Sequence, residues 1–214
     1  MNPNDSYHLG ELEIARTPSD PRHILPPIAS SYRHILDVGC GAGQTLIACD
    51  LGAGITAVGV DQDETALRLG RTLCSTVNFV CARAERLPFA SAAFDFVICR
   101  VALPYMHTET ALGEMSRVLR TGGKLWATLR PLSRSVKDVV LNVAKLDLRQ
   151  ATYAAYVLAN GIAYSIAGTQ FPLPTGRYAS FQTNRGITRA LLSRGFRDIE
   201  ITRGRFFVVS ASRA

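Results

Sequence analysis

Asp37, three glycines at alternating positions and a second aspartate, Asp61, have the types and spacing to hold a small ligand. They stand in "ILDVGCGAGQT" (35–45) and "AVGVDQD" (57–63). Glycine admits positive φ and lets a ligand come close to main-chain atoms. A carboxylate inside an apolar run, two residues before the first glycine, is out of place in a purely structural strand. A dinucleotide fingerprint needs a glycine at position 44, where Gln44 stands, so the pyrophosphate reading is poor. Asp61 ends a second apolar run, where a carboxylate accepts hydrogen bonds from both hydroxyls of a ribose. Gln62 is then placed to lie over an adenine ring. Bare turn chemistry is the alternative reading of the glycines taken alone.

Other residues offer weaker chemistry. His107 and Tyr105 are candidates to deprotonate or orient an acceptor; a loop histidine and a packed tyrosine are the alternative. Tyr153, Tyr156 and Tyr164 have helical spacing, which suits core packing or an aromatic substrate box. Tyr7 and His8 are placed to fold over a ligand from the N-terminal segment. No His/Cys/carboxylate cluster has metal-ligand spacing, so no metal is expected. The five cysteines (40, 49, 74, 81, 99) are odd in number without C-x-x-C spacing, which points to buried free thiols in a reducing cytoplasm.

The elements that position these groups follow from apolar periodicity. Strands are expected at His34–Val38, Ile55–Val60, Val77–Cys81, Phe94–Cys99 and Lys124–Leu129. Helices are expected at Gln44–Leu51, Glu64–Cys74 and Glu109–Leu119, the last ended by Thr121-Gly122-Gly123 as a C-cap. The N-terminal segment, 1–32, is expected to hold short helices at Leu9–Arg16 and near Asp20–Leu25. Strands alternating with helices predict a parallel sheet covered on both faces, with ligands outside the carboxyl ends of the strands. The glycine turn sits at that crevice. The alternation breaks at 131–183, two apolar helical patterns and a Pro/Gly-rich loop, which reads as an inserted lid or an assembly surface. A helix at Arg185–Ser193 and a hairpin of Arg197–Ile201 and Arg205–Ser210 close the chain with an antiparallel edge.

The 214 residues, 47% hydrophobic and 19% charged, suit one globular domain. No secretory signal pattern and no membrane span is expected. The net charge of +7 is uneven: residues 1–116 balance to −5 and residues 117–214 to +12. A basic half suits an RNA face, an anionic substrate or a plain solvated surface. Only three of the 24 basic residues are lysines.

"ILDVGCGAG" resembles the first motif of class I S-adenosylmethionine-dependent methyltransferases, in particular the small-molecule, type 11-like group. In order after it, "VGVDQDETAL", "FVCARAERLPFASAAFDFVICRVALPYM" and "EMSRVLRTGGKLWATL" are similar to that family's later motifs, over roughly 33–130. The resemblance implies a Rossmann-like, doubly wound seven-stranded sheet with an antiparallel last strand, here with a helical insertion after strand 5. It implies S-adenosylmethionine as cofactor and S-adenosylhomocysteine as product. By the same resemblance Asp37, Gly39, Cys40 and Gly41 meet the methionine end of the cofactor, whose ammonium and sulfonium suit a carboxylate. Asp61 holds the ribose, Gln62 borders adenine, Ala84 and Glu85 flank the adenine edge, and Arg100 lies beside the transferable methyl. The chain departs from the family at Arg83, where an aspartate is usual.

The expectation is therefore a cytoplasmic methyltransferase of a small-molecule acceptor. Residues 33–130 would hold the cofactor, 131–183 would form the lid, and 184–214 the closing helix and hairpin. An RNA methyltransferase, or a catalytically silent binding protein prompted by Arg83, is the alternative. No membrane partner is expected, and a homodimer is left open.

Overall fold

The computed structural model describes residues 3–214. The chain opens with α1 (Pro3–Arg16), then β1 (His34–Val38), α2 (Gln44–Ala48), β2 (Thr56–Asp61), α3 (Glu64–Leu73), β3 (Val77–Cys81) and β4 (Phe94–Cys99). A 3-10 turn at Leu103–Tyr105 leads into α4 (Thr108–Val118) and β5 (Leu119–Leu129). Two further helices, α5 (Leu132–Ala144) and α6 (Leu148–Ala167), precede α7 (Asn184–Ser193), β6 (Phe196–Arg203) and β7 (Phe207–Arg213).

The seven strands form one sheet in the order β3-β2-β1-β4-β5-β7-β6. All neighbours are parallel except that β7 runs antiparallel to both β5 and β6. This is the expected Rossmann-like, doubly wound sheet with its antiparallel last strand. The order reverses at β1 and β4, so the turn after β1 opens on a crevice at the strands' carboxyl ends. Strands β1 and β4 are buried on both faces through Ile35, Leu36, Val38, Phe96, Val97 and Ile98, as central strands of a covered parallel sheet must be.

Two local expectations are corrected. The N-terminal segment carries one helix, α1, rather than two. That helix buries its own Leu12, Ile14 and Ala15, while 20–25 turns on Asp20, which accepts a hydrogen bond from the Arg22 N–H at 2.6 Å. Gly122 and Gly123 do not cap α4, which ends at Val118. They lie inside β5, where the register against β4 jumps from Phe94–Leu119 to Phe96–Lys124. Gly122 takes φ of 77° in that bulge, and a Cβ on Gly123 would sit 2.8 Å from the Arg120 carbonyl oxygen.

The stretch 131–183 is stitched to the core by buried polar side chains. Arg130 N–H donates to Gln182 Oε1 at 3.0 Å, and Thr108 N–H donates to Gln170 Oε1 at 2.7 Å. Within the stretch, Asn160 on α6 accepts from Phe171 N–H at 2.8 Å and donates to the Ala179 carbonyl at 3.0 Å. The loop after α6 is thereby held against that helix at both ends. Among the described residues no helix is long and apolar enough to cross a membrane.

Candidate active site

The glycine turn follows from backbone geometry. Gly39, Gly41 and Gly43 all take positive φ, at 78°, 56° and 78°. A Cβ on Gly39 would lie 2.3 Å from the Ala102 Cβ, so no larger residue fits there. Gly39 and Cys40 N–H groups donate to the Val60 carbonyl, which locks the turn to the end of β2. Gly41 N–H donates to Asp61 Oδ2 at 2.8 Å, and Asp63 N–H donates to Asp61 Oδ1 at 3.0 Å. Each carboxylate oxygen of Asp61 keeps acceptor capacity for a further donor.

A cavity of about 400 Å³ opens above this turn, within the range usual for small-ligand sites. Gly39, Cys40, Gly41 and Asp61 line it, with Gln62, Ala84, Glu85 and Arg100. Asp37 lies beneath the turn, 1% exposed, and neither of its carboxylate oxygens has a hydrogen-bond partner within the protein. Burial pushes its pKa up to about 7, against the pull of Arg100, with help from the Asp61 charge and slightly offset by the nearby Thr45 hydroxyl, which stands outside good hydrogen-bond geometry. An orphaned carboxylate of this kind calls for a cation or for hydrogen-bond donors. Arg100 is itself nearly buried; its Nε donates to Thr45 Oγ1 at 3.0 Å and its Nη2 lies 3.6 Å from Glu11 Oε2.

At the opposite end Glu85 lines the cavity with both oxygens engaged. Oε1 accepts from His107 N–H at 3.0 Å, and Oε2 accepts from Arg83 Nε at 3.3 Å. Arg83, the departure from the family pattern, therefore stands at the rim as the partner of Glu85. Of the two acid–base candidates, Tyr105 is in the cavity wall and His107 is not. His107 caps α4 instead: its Nδ1 lies 2.8 Å from Thr110 Oγ1 and accepts from Thr110 N–H. The Tyr105 hydroxyl accepts from Arg130 Nη1 at 3.5 Å.

Helix α1 roofs the cavity with Tyr7 and His8, as their sequence position allowed. His8 is buried, with Nδ1 2.8 Å from Gln44 Nε2. The tyrosines of α6 form no aromatic box: Tyr164 is fully buried in the core, Tyr156 donates its hydroxyl to the Phe171 carbonyl, and none lines the cavity. Sequence reasoning missed Glu11, whereas the tip Thr175–Tyr178 belongs to the stretch read as a lid; both line the wall. For Glu11 a signal existed, since residues 7, 8 and 11 share one face once α1 is extended back to Pro3. The loop that carries Thr175–Tyr178 is folded back by the Asn160 bonds, by the Tyr156 hydroxyl on the Phe171 carbonyl and by Ser180 N–H on the Pro104 carbonyl. Among the described residues no group of His, Cys, Asp and Glu could hold a metal ion.

Residues 36–127 match the family model of a methyltransferase domain. An O-methyltransferase of Pyrenophora dematioidea is 37% identical over 148 residues, covering 66% of this chain and 51% of that protein. The O-methyltransferase resE of Aspergillus sclerotiorum is 33% identical over 104 residues, covering 45% of this chain and 39% of that protein. The chain thus spans about half the length, or less, of these curated relatives. Among solved structures, an S-adenosylmethionine-dependent methyltransferase from Thermotoga maritima superposes with a TM-score of 0.60 at 17% identity, covering 99% of this chain and 91% of that one. A geranyl diphosphate methyltransferase solved with S-adenosylmethionine gives 0.58 at 13% identity, covering 98% and 85%. At such identities the structures speak for the fold alone. The family match covers the glycine turn, Asp61 and β4: residues 36–127 form a methyltransferase domain, and the sheet that carries it has the Rossmann-like fold of the class I S-adenosylmethionine-dependent methyltransferases.

Proposed function

We propose that the cavity binds S-adenosylmethionine and that the chain transfers its methyl group to a hydroxyl of a small-molecule acceptor. The observation that carries this reading is Asp37, a buried carboxylate without a partner beneath a glycine turn open to the cavity. The cofactor's ammonium and sulfonium would supply the positive charge that carboxylate lacks. Asp61 would take the ribose hydroxyls on its remaining lone pairs, with Gln62, Ala84 and Glu85 bordering the adenine. The O-methyltransferase relatives support an oxygen acceptor.

When bound, the cofactor supplies a methyl group already activated for displacement. The chain's own residues then have three tasks. Gly39 and Gly41 admit close approach to the main chain, and Asp37 with Asp61 fix orientation, which supplies much of the rate. The α1 roof, through Tyr7 and His8, keeps water from the reacting centre. Tyr105 and the tip Thr175–Tyr178 line the acceptor side, with residues 131–183 acting as the lid that selects the acceptor.

Titration calorimetry with S-adenosylmethionine and S-adenosylhomocysteine, followed by methyl transfer to a panel of small hydroxylated compounds and to RNA, tests the proposal. Saturable binding at one site with transfer to a small hydroxyl is expected. Absence of binding at millimolar ligand would overturn it, and transfer only to RNA would reassign the acceptor.

A further inference from the structure

Helix α5 is inside out. Its inward side carries Ser135, fully buried and accepting from Arg130 Nε at 3.1 Å, with Asp138 and Asn142 half-buried beside it. Leu132, Val136, Val140 and Val143, at i, i+4, i+8 and i+11, fall on one stripe, and every one of them is exposed. The stripe runs on into the connection to α6, where Leu146 and Leu148 are 84% and 78% exposed, the two most exposed large apolar side chains described. A helix that turns Ser135, Asp138 and Asn142 inward with Val139, and three of its four valines outward, is built to be covered from outside.

Charge selects the cover. Two of the chain's three lysines, Lys137 and Lys145, lie on α5 and at its end. Arg149 lies just past Leu148, and Arg203 shares a shallow apolar groove with Leu132, Val136 and Val140. The two carboxylates of the stretch both have partners within the chain, Asp138 half-buried and Asp147 exposed. Asp138 pairs with Arg130 at 2.5 Å and Arg134 at 3.2 Å, and Asp147 caps α6 by accepting from Gln150 N–H. An apolar stripe flanked by exposed cations would meet its own charges on a second copy of this chain, whereas an anionic bilayer complements both features. Lysines suit that position because their stems lie along apolar surface while the ammonium reaches the headgroups.

We infer that the α5 face and the Leu146–Leu148 tip form a peripheral docking surface for anionic lipid membranes, lying in the headgroup layer without spanning it. This inference stands apart from the proposed reaction, and it revises the expectation of no membrane partner at the level of surface contact only.

Flotation of the full chain with vesicles tests it, using phosphatidylcholine alone or with about a third phosphatidylglycerol, at low and high salt. Retention is expected on the anionic vesicles and not on the neutral ones, weakening as salt rises. Val136→Asp with Val140→Asp, and separately Lys137→Glu with Lys145→Glu, should each lower partitioning by about tenfold or more. Because all four side chains are exposed, thermal unfolding of these variants should stay near that of the parent chain. Equal recovery with neutral and anionic vesicles overturns the inference. So does a dimer in analytical ultracentrifugation that Val140→Asp converts to monomer, since the face then belongs to a second copy.

Discussion

Asp61 at the end of β2 accepts a hydrogen bond from the Gly41 N–H at 2.8 Å, so the second strand's carboxylate braces the turn that ends the first. The same side chain also accepts from Asp63 N–H, at the start of α3. The geometry of both loops thus hangs on one side chain that also lines the cavity.

Replacing Asp61 with Ala should therefore fail twice. Two backbone N–H groups lose a charged acceptor, at a stability cost of about 1–3 kcal/mol. Affinity for S-adenosylmethionine should fall at least about tenfold, because charge-assisted bonds to the ribose go as well. Calorimetry and thermal unfolding read the two effects separately. An unchanged affinity in a folded variant would place the ribose elsewhere.

Asp37 sets a pH dependence whose sign is fixed. Its pKa is raised from 3.8 to about 7 in the ligand-free fold by burial, so between those values the folded state holds a proton that the unfolded chain has lost. Its contribution to stability is full below about pH 4, declines by a few kcal/mol as pH rises towards about 7, and is flat above. Asp37→Asn should remove that decline in urea titrations across pH.

The same group couples ligand binding to proton release. Below about pH 7, binding a cation over Asp37 should expel its proton. Calorimetric heats for S-adenosylmethionine near pH 6 should then change with the ionisation enthalpy of the buffer in the parent chain and not in Asp37→Asn. Heats that ignore the buffer in both would remove Asp37 from the cofactor site.

His107 makes the opposite case. As the cap of α4 it satisfies Thr110 and stands outside the cavity wall. His107→Ala should cost about 1 kcal/mol of stability, with His107→Asn recovering most of it. Methyl-transfer rates at saturating acceptor should stay within a few-fold of the parent. A loss of a hundredfold without unfolding would restore the histidine as a general base.

Gly161 tests the lid. A Cβ there would lie 2.1 Å from Phe181 Cδ1, so Gly161→Ala must push the loop after α6 off its helix. Overpacking of this kind costs roughly 1–3 kcal/mol. The acceptor's KM should rise while cofactor affinity stays within a few-fold. Equal losses in both would show that the loop builds the cofactor site itself.

The strands were readable because their apolar, β-branched runs are local statements: four of the five parallel strands His34–Leu129 begin within one residue of where periodicity puts them. The fifth, β5, begins earlier because pairing of Leu119 with Phe94 decides its start, and that contact is distant in sequence. The same contact turned Gly122 and Gly123 from an apparent cap into a bulge. The cavity's floor was legible in Gly39, Gly41 and Asp61, which stand at strand ends and line it, with Asp37 buried beneath the turn. Its roof was half legible. Tyr7 and His8 stood out, whereas Glu11 needed a helix start that Pro3 and Asn4 disguise as linker. The ring of His107 could not be placed from sequence, since a hydroxyl three residues on decides where its Nδ1 points. Nor does the period of α5 tell which side faces out, because the stripe of valines and the stripe of Ser135, Asp138 and Asn142 are equally helical.

Strand β7 lies between β5 and β6, yet it follows both in the chain. During synthesis β6 has no sheet neighbour until Phe207–Arg213 has left the exit tunnel, and β5 shows a bare edge from Lys124 to Leu129 until then. A nascent chain stalled before Phe207 would carry that open edge beside its apolar residues, the form of surface that chaperones hold and that pairs wrongly with other chains. Completion of this sheet is therefore vectorial: one late strand inserts as a wedge, and the two strands beside it become a single layer in the same event.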